Sequence, residues 1–457
     1  MSDSTPFKEI YADHHQRPVL DTLVSIEFVC EDVVMSTEWR DTTAAASSPA
    51  ITAGNSSTAS LAWLLDPVAP ATFAAEYWEE VPLFVNRSDS TYFADLPGLG
   101  EIDELITATS SHIPGMNEDV RIIKTDEKGV LSVHPPQVLA NGLPDIQVIY
   151  RDYQNGCSIA VNQLHRRSAS VASLCGLLEN DLHHPVGANL YLTPRASQGF
   201  LPHVDTHDVF ILQMHGAKDW FFSTPKPNEE LPLPSMKPIC DQPLTDYKKI
   251  TMQPGDVLYL PRGIPHYAKT AGTSSLHYTV GVEPYRWIDF MAAALHEIAY
   301  SSVKYRHALP LGFFDLPIDS SVPLDLAEML THQLHDQGLV ERAKQRLETE
   351  SLRASKATST GHFASLDRVR HLTIDSTVIR VPGVHCRVRR TDDSATIDFT
   401  GNFVSGPSFL APSLQFVAKH RKFAIKDLPD SLSAADKIDL VERLVSEGLL
   451  QVAASPQ

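Results

Sequence analysis

Between about residues 185 and 285 the chain is a succession of short segments rich in β-branched and aromatic residues. These are ANLYLTP, DVFILQMHG, DWFFSTP, DVLYLP and LHYTVGVE, each bounded by Gly, Pro or Asp. Runs of this kind read as strands separated by turns. No long helical pattern interrupts them, and parallel strands need a long crossover, usually a helix. The pattern therefore predicts an antiparallel β-sandwich or barrel and excludes a parallel α/β sheet. After Trp287 the hydrophobic period becomes helical: MAAALHEIAY continues one helix, and Leu326, Met329, Leu330 and Leu334 give the stripe of another.

The flanks divide the chain further. Residues 41–60, DTTAAASSPAITAGNSSTAS, are almost all small or polar, cannot fill a core, and read as a flexible linker. Beyond it, Phe73, Tyr77 and Trp78 suit one face of a short helix leading into the strands. Near the other end Ser433 and Asp436 have capping-box spacing, followed by Ile438, Val441, Leu444 and Val445 and a stop at Gly448. The last hundred residues thus read as a separate small domain.

Charge separates the parts as well. The chain of 457 residues has a formal net charge of -18, of which residues 1–365 carry -19 and residues 366–457 carry +1. An acidic body repels a phosphate backbone, so general nucleic-acid binding is not expected. The five cysteines (Cys30, Cys157, Cys175, Cys240, Cys386) show no CxxC, which excludes a cysteine zinc site and a disulfide framework and suits a reducing cytoplasm. MSDSTPFKE has no signal-peptide pattern, and Met35 offers an alternative start. No apolar run approaches the roughly 18–20 residues that cross a bilayer, so no membrane partner is expected.

The chemistry concentrates in two stretches. In QGFLPHVDTHDVF, His203 and Asp205 lie two apart in a segment that reads as a strand, so both side chains leave one face. In MQPGDVLYLPRGIPHYAKT, a turn at Pro254–Asp256, a short apolar strand and a second bend lead to His266. In a rolled antiparallel barrel that strand can return beside the first. The three would then form a two-histidine, one-carboxylate face, a set that suits Fe(II) and leaves positions open for co-substrate and oxygen. The competing reading of His266 is a core histidine following a proline. Lys218, in HGAKDW, is a cation suited to the distal carboxylate of a 2-oxo acid, since a buried lysine needs a partner. Asn189 and Tyr191 could donate to the same ligand, or form an ordinary cross-strand pair.

NLYLTPRASQGFLPHVDTHDVFILQMHGAKDW followed by PGDVLYLPRGIPHYAKT closely resembles the JmjC-type cupin oxygenases, specifically the ribosomal oxygenase group. The resemblance extends to LLDPVAPATFAAEYWEEVPLFVNR and to the helical and terminal segments. It implies a mainly β fold with helices: a double-stranded β-helix (cupin/JmjC jelly roll) at 61–285 behind a 1–60 extension, a helical dimerisation region at 286–365, and a winged-helix-like domain at 366–457. It implies an Fe(II)- and 2-oxoglutarate-dependent dioxygenase that uses O₂ to hydroxylate a protein side chain, with a ribosomal protein favoured, and that acts as a homodimer. Iron would be held by His203, Asp205 and His266, and 2-oxoglutarate by Lys218, Asn189, Tyr191 and Thr279. Gly281 departs from the pattern, since some members carry serine there. A peptide or natural-product hydroxylase, a lysine demethylase and a non-catalytic cupin/winged-helix regulator remain as alternatives.

Overall fold

The computed structural model describes residues 60–107, 119–223, 246–309, 311–315, 331–354 and 361–453, except 88 and 127, with isolated positions at 231, 232, 244 and 328. The extension and linker up to residue 59, and the stripe residues Leu326, Met329 and Leu330, lie outside the described residues.

Among the described residues the central part contains β1 (Leu83–Val85), β2 (Val120–Thr125), β3 (Leu131–His134), β4 (Ser158–Val161), β5 (Val186–Thr193), β6 (Asp208–Gly216), β7 (Lys218–Phe222), β8 (Lys248–Met252), β9 (Val257–Leu260), β10 (His266–Lys269) and β11 (Ser275–Val282). They form an eight-stranded sheet, β1-β9-β6-β11-β5-β4-β2-β3, and a three-stranded sheet, β10-β7-β8. The pairings are antiparallel throughout. From β6 onward the chain passes repeatedly between the two sheets, so that, apart from the paired β7 and β8, sequence neighbours lie in opposite sheets instead of pairing. That winding is the rolled sandwich predicted by the strand pattern.

The two faces of the large sheet have different work. One face buries Leu190, Phe210, Tyr259 and Tyr278 with Leu64, Phe73, Leu174 and Leu178 from the flanking helices. The other buries Val209, Ile211 and Leu258 against Trp220, Phe222 and Met252 of the small sheet. Strand alternation assigns each residue to one face or the other, which fixes the register. The helix bearing Phe73 spans Pro70–Glu76 and ends before Tyr77. Phe73 still meets Trp78 at 6.0 Å and Tyr259 at 4.8 Å, so the aromatic cluster holds although the helix is shorter than expected. The turn at Pro254–Asp256 is tight: Gly255 has φ +96°, and a Cβ there would lie 2.0 Å from the carbonyl oxygen of Asp89.

The helix Trp287–Ser301 follows the barrel, and its Ala293 and Ala294 pack with Ala343 of the helix Gln337–Ala354. Further along are β12 (Thr377–Arg380), β13 (Cys386–Arg390), β14 (Ser394–Phe399), β15 (Asn402–Pro407), β16 (Lys422–Ala424) and β17 (Leu450–Val452). These form two three-stranded sheets, β16-β12-β17 and β13-β14-β15, over a separate core that includes Val378, Phe399, Leu414, Val441 and Leu444. The helix Ala434–Ser446 begins with the Ser433–Asp436 capping box, and Gly448 follows it at φ +91°. Nε2 of His385 lies 3.1 Å from the carbonyl of Gly176, tying this part to the barrel.

Candidate metal centre and its pocket

His203 and Asp205 do not lie on a strand. The segment before β6 is irregular, broken by Gly199 and Pro202, and pairs through isolated bridges, Gln198 with Lys269 and His203 with His266. The second bridge is reciprocal: the His203 N–H donates to the His266 carbonyl at 3.0 Å and the His266 N–H to the His203 carbonyl at 2.8 Å. Two residues far apart in sequence are thereby pinned side by side. The N–H of Gly263, in the turn before β10, donates to the carbonyl of Asp205 at 2.9 Å and sets the third residue.

The side chains converge. Ligand atoms of His203, Asp205 and His266 all lie within 4.8 Å of one another. Nε2 of His203 is 3.9 Å from Oδ1 of Asp205, and Nε2 of His266 is 3.6 Å from Oδ2. Each ring places Nδ1 2.8 Å from a carbonyl two residues upstream, Leu201 for His203 and Ile264 for His266. With Nδ1–H donated to that carbonyl, the Nε2 lone pair is left for a ligand. Burial, with the charge of His203 next, pushes the His266 imidazole down to about 4, so it is neutral near pH 7, as metal ligation requires. Two imidazoles and one carboxylate, with Trp220 and Phe200 beside them, fit a divalent first-row metal.

The pocket continues from this centre between the sheets. Its wall on β5 is Asn189, Tyr191 and Thr193, and on β11 His277 and Thr279, in the pairs Asn189↔Thr279 and Tyr191↔His277. Lys218, the first residue of β7, is buried, and its Nζ donates to Oγ1 of Thr193 at 3.0 Å. Burial alone pushes it down to about 7; among the described residues no acidic group offsets the desolvation. Burial, and then the charge of Asp205, pushes Tyr191 up to about 12, so its hydroxyl keeps its proton. The side-chain oxygen of Asn189 accepts from the N–H of Gln163 at 2.9 Å.

All seven residues singled out from sequence thus border one pocket. Sequence patterns did not point to Thr193, Trp220 or His277. His277 lies two before Thr279 and so shares its face, a signal that alternation carries. It stacks on Tyr191 at 5.2 Å and meets Trp220 edge-on at 5.3 Å. Burial, with the Lys218 charge next, lowers it well below its usual value. Nδ1 of His277 and Nε1 of Trp220 are buried without hydrogen-bond partners. Unpaired polar atoms in a pocket with a lone buried lysine suit an anionic, hydrogen-bonding ligand.

Comparison with known proteins agrees with this geometry. Residues 163–290 match the JmjC domain family. The chain is 34% identical over 257 residues to ribosomal oxygenase 1 of Gallus gallus, covering 54% of this chain and 41% of that protein. It is 33% identical over 260 residues to the bifunctional lysine-specific demethylase and histidyl-hydroxylase NO66 of Culex quinquefasciatus, covering 54% and 38%. It therefore spans about two fifths of the length of these curated relatives. In fold it is similar to YcfD, a ribosomal oxygenase from Escherichia coli solved with cobalt and succinic acid, with TM-score 0.52, 17% identity, and coverage of 85% of this chain and 99% of that one. Residues 163–290 thus match a JmjC domain, in a chain that is similar to the ribosomal oxygenases.

Proposed function

We propose that the protein is an Fe(II)- and 2-oxoglutarate-dependent oxygenase that hydroxylates a side chain of another protein, a ribosomal protein being the favoured substrate. The observation that carries this reading is the His203–Asp205–His266 cluster beside a buried lysine with no acidic partner among the described residues. The reaction consumes 2-oxoglutarate, O₂ and a substrate C–H and yields succinate, CO₂ and C–OH. Iron at the triad would supply the oxidising chemistry. The chain's own residues hold and orient. Lys218, fixed by Thr193, keeps ammonium donors for the distal carboxylate. Asn189, Tyr191 and Thr279 bound the co-substrate, and Trp220 with Ile211 excludes water. The succinic acid in the YcfD structure supports a dicarboxylate in this place.

The test is succinate formation from 2-oxoglutarate with Fe(II) in air, with and without a ribosomal-protein extract. Stimulation by the extract together with a protein gaining one oxygen is the expected result. Turnover without stimulation removes the ribosomal substrate and leaves the peptide and natural-product readings; loss of a methyl group from lysine turns the reading to demethylation, the activity named for NO66. No turnover and no 2-oxoglutarate binding would leave the non-catalytic regulator.

We also propose the boundaries 61–285 for the catalytic part, 286–365 for dimerisation and 366–457 for a winged-helix-like domain. Nucleic acid is not a partner in this reading. The buried thiols of Cys157, Cys175 and Cys386 suit a cytoplasmic protein. Support for the dimer is the set of apolar side chains exposed on the helix Trp287–Ser301 itself: Trp287 is 83% exposed, Ile288 56% and Tyr300 69%, and Phe314 beyond it is 92% exposed. Isolated apolar residues are ordinary, but several on one helix suit an interface. Replacing Trp287 and Phe314 together with aspartate should convert a dimer to a monomer in size-exclusion chromatography with light scattering, with Tm lowered by a few degrees at most. A wild-type monomer at tens of micromolar would refute the dimer.

A further inference from the structure

The departure at Gly281 has a structural counterpart. Gly281 on β11 pairs in register with Gly187 on β5. By strand alternation both face the pocket side, one step beyond Thr279 and Asn189. Two glycines opposite each other leave a stretch of sheet bare of side chains, and two imidazoles occupy it. A Cβ on Gly281 would lie 2.7 Å from Cδ2 and 2.9 Å from Nε2 of His207. A Cβ on Gly187 would lie 3.3 Å from Cε1 of His165. The first distance is one that real Cβ atoms do not adopt, so the position of His207 depends on glycine at 281.

His207 lines the pocket with the metal triad, yet it belongs neither to the triad nor to the group around Lys218. Along β11 the pocket face runs from His277 through Thr279 to Gly281, and Glu283 follows just past the end of the strand. Glu283 is exposed, its side chain 60% accessible, with Oε1 3.9 Å from Nδ1 of His207. His207 therefore stands between the metal centre and an exposed carboxylate, on the outward side of the co-substrate wall.

We infer that the Gly187–Gly281 pair is a seat for the His207 imidazole, and that His207 meets the side chain of the protein substrate and sets which side chain is oxidised. This rests on the oxygenase reading above. The imidazole and the neighbouring carboxylate offer acceptor atoms and negative charge, and the surrounding body is acidic. The class of substrate that fits is a basic protein segment presenting an N–H-donating side chain.

The experiment uses the full chain with Fe(II), 2-oxoglutarate and the ribosomal-protein extract. It reads extract-stimulated succinate and oxygen incorporation, beside Co(II) and 2-oxoglutarate dissociation constants. His207→Ala and Gly281→Ser are each expected to lower extract-stimulated turnover at least tenfold, mainly through a higher KM for the extract, while both dissociation constants stay within about twofold. His207→Gln, which keeps a polar terminus, should recover part of the loss. The double variant should be no worse than the poorer single one, because both changes remove the same contact. Extract-stimulated turnover within twofold of wild type for His207→Ala overturns the inference. So does a tenfold loss of 2-oxoglutarate affinity in that variant, which would assign the ring to the co-substrate. A wild-type enzyme that the extract fails to stimulate overturns the ribosomal-substrate reading and this inference with it.

Discussion

Asp205→Ala is expected to lower Co(II) or Fe(II) affinity at least a hundredfold and to erase 2-oxoglutarate turnover, without unfolding the chain. Asp205 supplies the only negative charge among the three donors. Its removal leaves two imidazoles, whose positions are set by the His203–His266 backbone bridge and not by the carboxylate. A hundredfold is about 2.7 kcal/mol of binding at about 1.36 kcal/mol per tenfold. The half-buried carboxylate makes no comparable contribution to folding, so Tm of the metal-free variant should stay within a few degrees of wild type. Metal titration by Co(II) absorbance and a thermal melt check both halves. Metal affinity within threefold of wild type would mean that the ion sits elsewhere.

Lys218→Met is expected to have opposite effects on stability and on ligand binding. In the folded protein burial holds Lys218 at about 7, against 10.5 for the exposed group. Between those values the unfolded chain binds a proton that the folded chain has released, so stability rises with pH there. Below about pH 7 both states carry the charge and the desolvation cost is felt in full, on the order of a few kcal/mol. Methionine fills similar space without the charge, so the variant should melt higher than wild type, by more at pH 6.5 than at pH 9. It should also bind 2-oxoglutarate at least a hundredfold more weakly. In wild type a bound carboxylate favours the ammonium form, so binding takes up a proton above pH 7. The 2-oxoglutarate dissociation constant should then rise about tenfold per pH unit above 7 until the bound lysine itself titrates. Calorimetric titration at several pH values, with thermal melts of both proteins, is the measurement. A flat wild-type profile from pH 6.5 to 8.5, or unchanged binding by Lys218→Met, would remove Lys218 from the co-substrate site.

The strands of the barrel were legible because period-two alternation and Gly/Pro punctuation are local properties: ANLYLTP, DVFILQMHG and LHYTVGVE became β5, β6 and β11. The C-terminal capping box was legible for the same reason, since Ser433 and Asp436 interact within one turn. The HxD segment misled. Two residues of spacing suggested a strand, but Gly199 and Pro202 leave it irregular, and the bridge to His266 with the Gly263 N–H on Asp205 does the positioning. The helix at Pro70–Glu76 stopped earlier than its aromatic pattern, because Tyr77 and Trp78 pack onto Phe73 from beyond its end.

The sequence by itself determined which chemistry was available: two histidines and an aspartate at metal-ligand spacing, a lysine at a strand start, and enough β-forming segments to roll a sandwich. Only the tertiary structure decided what these groups are to one another. The meeting of His203 with His266, the burial of Lys218 against Thr193, and the seat of His207 on Gly281, across from Gly187, all depend on contacts between residues distant in the chain. No local pattern encodes them, because strand register and the stacking of two sheets set the distances and the burial that turn a residue type into a site.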